Sequence, residues 1–231
     1  MDARQHGGKW LVRIEDLDTP RCVPGAADDI LRTLEHFGFE WDGPVMFQSE
    51  RGEAYRAALE RLPVYACTCS RKSLDSCQCR NLIHKPEGMH SVRVFGGRTI
   101  GFEDRHFGWF EQQVDDFVVR RADGLFAYQL AVVVDDAEQG VTDIVRGSDL
   151  LDSTPRQIFL QQELGMPKIR YKHVPVVRNA DGEKLSKQTL APALDWALAA
   201  ALLNQAALHL GWPPAEAAGP RELLRELAGG F

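Results

Sequence analysis

Several things are missing from this chain, and each absence excludes something. No apolar run approaches the ~20 residues that cross a bilayer. The opening Met1-Asp2-Ala3-Arg4-Gln5-His6 has no apolar segment of the kind that directs export. A membrane or secreted protein is therefore not expected, and the cytoplasm is the default location. Basic charge is also short: 27 Lys and Arg face 33 Asp and Glu, for a net charge of −6 over 231 residues. Any contact with nucleic acid then needs a local basic face. One stretch qualifies. From Arg71 to Arg98, Arg71, Lys72, Arg80, Lys85, Arg93 and Arg98 stand against only Asp75 and Glu87; an ordinary solvated loop fits the same composition. Internal repeats are absent. Cysteines number only five, yet Cys67, Cys69, Cys77 and Cys79 fall within thirteen residues. In a cytosolic chain that clustering points to metal before disulfides.

What is present reads as alternating strands and helices. Lys9–Glu15 predicts a strand, with Arg13 and Glu15 on one face and Val12 and Ile14 on the other. From Pro24 to Phe37, Ile30, Leu31, Leu34 and Phe37 recur at helical spacing, and Gly38 follows as a stop. A second helix is expected from Ser49, with Tyr55, Ala58, Leu59 and Leu62 as its apolar stripe. From the cysteines to about Asp115 the chain reads as irregular. Strands are predicted at Asp116–Arg121, Ala131–Val134, Val141–Val145 and Ile169–Val177, and a helix from Thr154-Pro155 to Leu164. The Ala/Leu-rich stretch from Leu194 to Leu210 predicts a final helix. The alternation favours an α/β fold, a doubly wound parallel sheet split by an insertion near residues 63–113.

Three segments carry chemistry: Arg13-Ile-Glu-Asp-Leu-Asp18; Ile144-Val-Arg-Gly-Ser-Asp149 with Thr154-Pro-Arg-Gln157; and Lys184-Leu-Ser-Lys-Gln188. In this order, with Leu125–Asp136 between them, they resemble the glutamyl branch of the class I aminoacyl-tRNA synthetases. Singly each is weak; the ordered set is specific, and it covers about Trp10 to Pro192. Only 44 residues follow Lys187, too few for the anticodon-binding domain of a full glutamyl-tRNA synthetase. That shortness and the Cys-Thr-Cys opening of the insertion are similar to the glutamyl-Q tRNA(Asp) synthetase family, whose members load glutamate onto the queuosine base in the tRNA(Asp) anticodon.

The resemblance implies a Rossmann-like catalytic domain in two parts, 1–62 and 114–192, a zinc-binding insertion at 63–113 and a helical tail at 193–231, acting as a monomer. It implies that L-glutamate, ATP with Mg2+ and queuosine-bearing tRNA(Asp) are the partners. Lys187, with Lys184 nearby, matches the ATP-contacting catalytic motif; a solvent-facing lysine pair is the plain alternative. Arg146 matches the position that reads the glutamate side-chain carboxylate, where a guanidinium fork grips two oxygens and disfavours neutral glutamine. Tyr128 matches a second substrate contact, or else is a packed strand residue. Glu15 matches the carboxylate that holds the substrate ammonium, or else pairs with Arg13.

The family's zinc ligands are a Cys-x-Cys pair, a tyrosine and a cysteine before arginine. Cys67, Cys69 and Cys79 before Arg80 fit, and no tyrosine intervenes. Cys77 is the natural substitute, unless Cys77-Gln78-Cys79 is a rearranged site or all four are free thiols. Two other readings of the chain stay open: a fragment of a discriminating glutamyl-tRNA synthetase, and a non-catalytic RNA-binding relic. Family members also begin with a strand and a Gly-rich turn into a HIGH-bearing helix. Here neither His6 nor His36 sits in such a setting, so the expectation is an internal methionine start or a truncated copy, poorly active or insoluble.

Overall fold

A computed structural model of the chain describes residues 1–70, 73, 77–82, 87–179, 181–185 and 193–229. In chain order its regular elements are α1 (Asp2–Gln5), β1 (Arg13–Ile14), α2 (Ala26–His36), β2 (Met46–Phe47), α3 (Gly52–Glu60), β3 (Val64–Cys67), β4 (Ser91–Val94), β5 (Arg98–Asp104), β6 (Gly108–Val114), β7 (Phe117–Arg120), α4 (Tyr128–Glu138), β8 (Asp143–Gly147), α5 (Thr154–Glu163), β9 (Arg170–Val174), α6 (Ala199–His209) and α7 (Pro220–Leu227). Two compact units result. The first comprises Met1–Ile14, Pro20–Phe47 and Val174–Phe231, and the second Glu15–Thr19 and Gln48–His173.

In the first unit β1 and β2 pair in parallel, Arg13 with Met46 and Ile14 with Phe47. Its core joins Phe37 to Ala199, Leu203, Ala215 and Leu223 of the C-terminal helices. Of the stripe predicted for α2, Phe37 is buried while Ile30 is 49% exposed. Gly38 is required twice over. Its φ of 79° lies in the left-handed region, and a Cβ there would sit 2.7 Å from the Arg221 backbone nitrogen.

The second unit holds two sheets. One is antiparallel in the order β3-β4-β7, and the other runs β6-β5-β9-β8, with β5 parallel to β9 through Asp104 and Tyr171. Its main core packs Tyr55 and Leu59 of α3 with Val92, Val94, Ile100, Val114 and Val119 of the sheets and Leu130, Val133, Phe159 and Leu160 of α4 and α5. Fully burying a leucine such as Leu130 or Leu160 contributes roughly 1.5–3 kcal/mol.

The described strands therefore make mixed sheets, in three pieces, where a single doubly wound parallel sheet was expected. Two local expectations also change. Ala131–Val134, read as a strand, lies inside α4, where every residue from Leu130 to Asp136 is buried. A helix covered on all sides needs no polar face, so its 3.6-residue period vanishes and the β-branched run mimics a strand. The stretch read as irregular carries β4 and the β5–β6 hairpin, in which Ile100, Phe102 and Asp104 alternate inward. Glycines at 96, 97 and 101 hide that period-two pattern. Among the described residues no helix is long and apolar enough to cross a membrane.

Candidate active site

The order of the larger sheet sets the geometry. Because β9 lies between β5 and β8, residues near the ends of three adjacent strands fall in one row: Asp104, His173 and Arg146. Arg146 donates through Nε to His173 Nε2 at 3.1 Å and through Nη2 to Thr154 Oγ1 at 2.7 Å. Thr154, the first residue of α5, is fully buried, so this end of the helix fixes one arm of the guanidinium. The guanidinium also lies over the Tyr171 ring, 5.5 Å from its centroid. Tyr171 and His173, two apart on β9, share a face and stack with an interplanar angle of 11°.

Tyr128 opens α4, not a strand, and packs against the main core. Burial pushes its phenol up; the Glu15 carboxylate pushes the same way, and the Arg146 guanidinium opposes. Glu15 and Arg146, far apart along the chain, thus both act on Tyr128. Beside them Gln157 is buried and donates to Gln129 Oε1 at 2.9 Å, while its own Oε1 has no partner among the described residues. Lys184 lies in the first unit, in an isolated antiparallel bridge with Arg178. A turn built on Asn179 and Gly182 supports that bridge, with Asn179 Oδ1 accepting from the Glu183 N–H at 2.8 Å. Lys187 lies outside the described residues.

The four clustered cysteines gather at the end of β3 and the short 3-10 turn Cys79–Asn81. Their sulfurs all lie within 4.8 Å of one another, and Cys67–Cys77 and Cys69–Cys79 are each 3.7 Å apart. That is too long for a disulfide, which needs about 2.05 Å. It matches the edge of a tetrahedron with metal–sulfur bonds of about 2.3 Å, an edge of about 3.8 Å. The donor set could hold a thiophilic metal, with Cys77 among its four sulfurs. The neighbouring basic side chains are partly committed to the fold. Arg80 pairs with Asp116 at 3.2 Å, Arg93 donates to the Asp116 carbonyl, and Arg98 pairs with Glu163 at 2.8 Å and covers Phe159.

Known proteins resemble the chain closely. The family described as tRNA synthetases class I (E and Q), catalytic domain, matches residues 1–81 and 69–219. A glutamyl-Q tRNA(Asp) synthetase of Dechloromonas aromatica is 55% identical over 91% of this chain and 78% of its own length. Proteins of the same name from Ectopseudomonas mendocina and Neisseria meningitidis are each 52% identical, over 97% and 96% of the chain. The chain belongs to the glutamyl-Q tRNA(Asp) synthetase family. In fold it is similar to the crystal structure of a glutamate-tRNA synthetase from Elizabethkingia anophelis, with a TM-score of 0.78 at 24% identity. All of this chain aligns there, spanning 60% of that protein.

Within this member of the glutamyl-Q tRNA(Asp) synthetase family, sequence reasoning missed Asp104, His173 and Thr154 as partners of Arg146. The available signal was a charged residue at an inward position of an alternating strand, Asp104 after Ile100 and Phe102. Its partner lies 69 residues away, and no local pattern links the two.

Proposed function

We propose that the chain activates glutamate with ATP and transfers it to the queuosine base in the anticodon of tRNA(Asp), acting as a cytoplasmic monomer. The glutamate α-carboxylate attacks the α-phosphorus of Mg2+-bound ATP; a phosphorus–oxygen bond forms, pyrophosphate leaves, and glutamyl-adenylate results. Transfer to the base then releases AMP. The protein's part is to position the reactants and neutralise phosphate charge. In this reading Arg146 grips the glutamate side-chain carboxylate, Tyr128 adds its hydroxyl, Glu15 holds the ammonium, and Lys187 with Lys184 meets ATP.

The observation that carries this reading is Arg146. Its guanidinium is anchored at Nε and Nη2 and acts on the same phenol, Tyr128, as Glu15 does. A cation and an anion that both act on one hydroxyl suit an amino acid, which carries both charges. Zinc is the metal we assign to Cys67, Cys69, Cys77 and Cys79. With four thiolates every position is filled, so its contribution is structural: it ties the Cys77–Cys79 segment to the end of β3.

Labelled glutamate offered with queuosine-bearing tRNA(Asp), the same tRNA lacking queuosine, and tRNA(Glu) tests the assignment. Label is expected on the first alone. Label on tRNA(Glu) would make the chain a glutamyl-tRNA synthetase fragment. No label on any of the three, with no adenylate formed, would make it a non-catalytic relative.

A further inference from the structure

Asp104 and His173 form a carboxylate–imidazole pair at 2.7 Å, both side chains wholly buried. A wholly buried carboxylate is costly unless it is hydrogen-bonded, so its presence asks for a use. The geometry fixes the protons. An arginine guanidinium donates and never accepts, and Arg146 Nε points at His173 Nε2 at 3.1 Å. That ring nitrogen must therefore be bare. Nδ1 carries the proton and donates it to Asp104 Oδ2. An imidazolium would set two N–H groups against each other. Burial, and secondarily the Arg146 charge, hold the imidazole pKa down against the pull of Asp104. Asp104 is in turn held by the sheet and the turn after β5. Its Oδ1 accepts from the backbone N–H of His106 and Phe107, each at 3.0 Å, and the N–H of His173 reaches its Oδ2 at 3.0 Å.

We propose that Asp104 and His173 are positioning residues for the substrate-binding guanidinium of Arg146. Asp104 locks His173 into the Nδ1–H tautomer, and the lone pair left on Nε2 anchors Arg146 Nε. With Thr154 Oγ1 holding Nη2, two of the three guanidinium nitrogens are fixed. The third, Nη1, makes no bond of its own among the described residues and is turned over to the ligand. The inference rests on the reading of Arg146 as the glutamate-carboxylate contact, and it explains how a side chain with four rotatable bonds keeps one direction. A pre-positioned fork loses less freedom on binding than a mobile one.

Asp104→Asn tests it by exchanging one oxygen for nitrogen. The backbone N–H groups of His106 and Phe107 meet Oδ1, and that of His173, which now bonds Oδ2, also lies 3.3 Å from Oδ1, so the remaining oxygen takes the Oδ1 position and the new NH2 faces and donates to His173 Nδ1. The imidazole must then carry its proton on Nε2, against Arg146 Nε, where it competes with Arg146 Nη2 for Thr154 Oγ1, 3.1 Å away. In the wild-type chain, 15N NMR of labelled histidine should show His173 as the neutral Nδ1–H tautomer, and Asp104→Asn should switch it to Nε2–H. By isothermal titration the variant should lose roughly tenfold or more in glutamate affinity while ATP affinity stays. Adding His173→Gln, whose amide oxygen can again accept from Arg146, should restore part of the glutamate affinity.

An Nε2–H or imidazolium His173 in the wild type would overturn the proposal, whether or not any variant folds. So would a switched tautomer with unchanged glutamate binding, equal losses for glutamate and ATP, or a double variant weaker than Asp104→Asn alone. If the wild-type tautomer is as expected but the wild-type chain binds ATP and no glutamate, the assignment of Arg146 to glutamate fails instead, and the positioning role for that ligand goes with it.

Discussion

Cys67 and Cys77, ten residues apart, bring their sulfurs to 3.7 Å, the separation two thiolates adopt on one tetrahedral metal. Cys69 and Cys79 stand at the same distance from each other, so the four sulfurs could serve one ion. About one zinc per chain is expected from metal analysis of protein purified without chelator. Cys69→Ser should abolish it. Cys77→Ser should weaken it too, and zinc retained at wild-type affinity in that variant would show that Cys77 is not the fourth ligand.

Arg146→Ala should weaken glutamate binding by ~2–5 kcal/mol if its partner carboxylate is desolvated, with ATP binding little changed. Titration of each ligand separately checks this. Matched losses would make Arg146 a structural residue of the β8–β9 region.

Acid should loosen the protein in a way traceable to one pair. His173 is held below its ordinary 6.5, by burial first and by Arg146, against the pull of Asp104. The unfolded chain therefore binds the proton first as pH falls through that value, and stability drops from there down to the depressed folded value. Asp104 is also held low: burial opposes, but the bonds from His173 and from the backbone of Phe107 and His106 outweigh it. Its contribution is present above the ordinary carboxylate value of 3.8 and is lost further down. Thermal melts from pH 8 to pH 4 should show Tm falling below about 6.5. His173→Gln should flatten the upper part of that fall; an identical slope in the variant would contradict the assignment.

A second buried carboxylate ties α3 to α4. Asp135 accepts from Gln48 Nε2 at 2.8 Å, Tyr55 Oη at 2.7 Å and Arg51 Nε at 3.0 Å. Tyr55→Phe removes one donor and should cost about 1–3 kcal/mol. Asp135→Ala removes the acceptor shared by Gln48, Tyr55 and Arg51, with Arg51 keeping Glu138, and should cost more than Tyr55→Phe. Urea denaturation measures both, and a larger loss for Tyr55→Phe would reverse the account.

How much of this could be read before the structure depends on whether a residue's signal is local. Helices α2, α3 and α5 and strands β7 and β9 announce themselves through apolar spacing and a Pro or Gly at their ends. Cys67, Cys69, Cys77 and Cys79 do so through proximity along the chain. Helix α4 does not: Leu130–Asp136 is buried on every side, so no polar stripe marks its turns. Nor does the anchoring of Arg146, because Asp104, His173 and Thr154 reach it from β5, β9 and α5, and only the strand order joins them. Glu15, Tyr128 and Arg146 could be named from the ordered motifs; the electrostatic link among them needed coordinates. In the basic stretch, Arg80, Arg93 and Arg98 also make contacts within the fold, to Asp116 and Glu163, which their spacing along the chain does not announce.

The claim on which the rest depends is that this chain makes an adenylate from glutamate. ATP–pyrophosphate exchange measures that step directly, run with and without tRNA, with glutamate and with glutamine. Exchange that requires glutamate, is not supported by glutamine and is lost in Arg146→Ala is the predicted result. No glutamate-dependent exchange under any of these conditions, or equal exchange with glutamine, would contradict it.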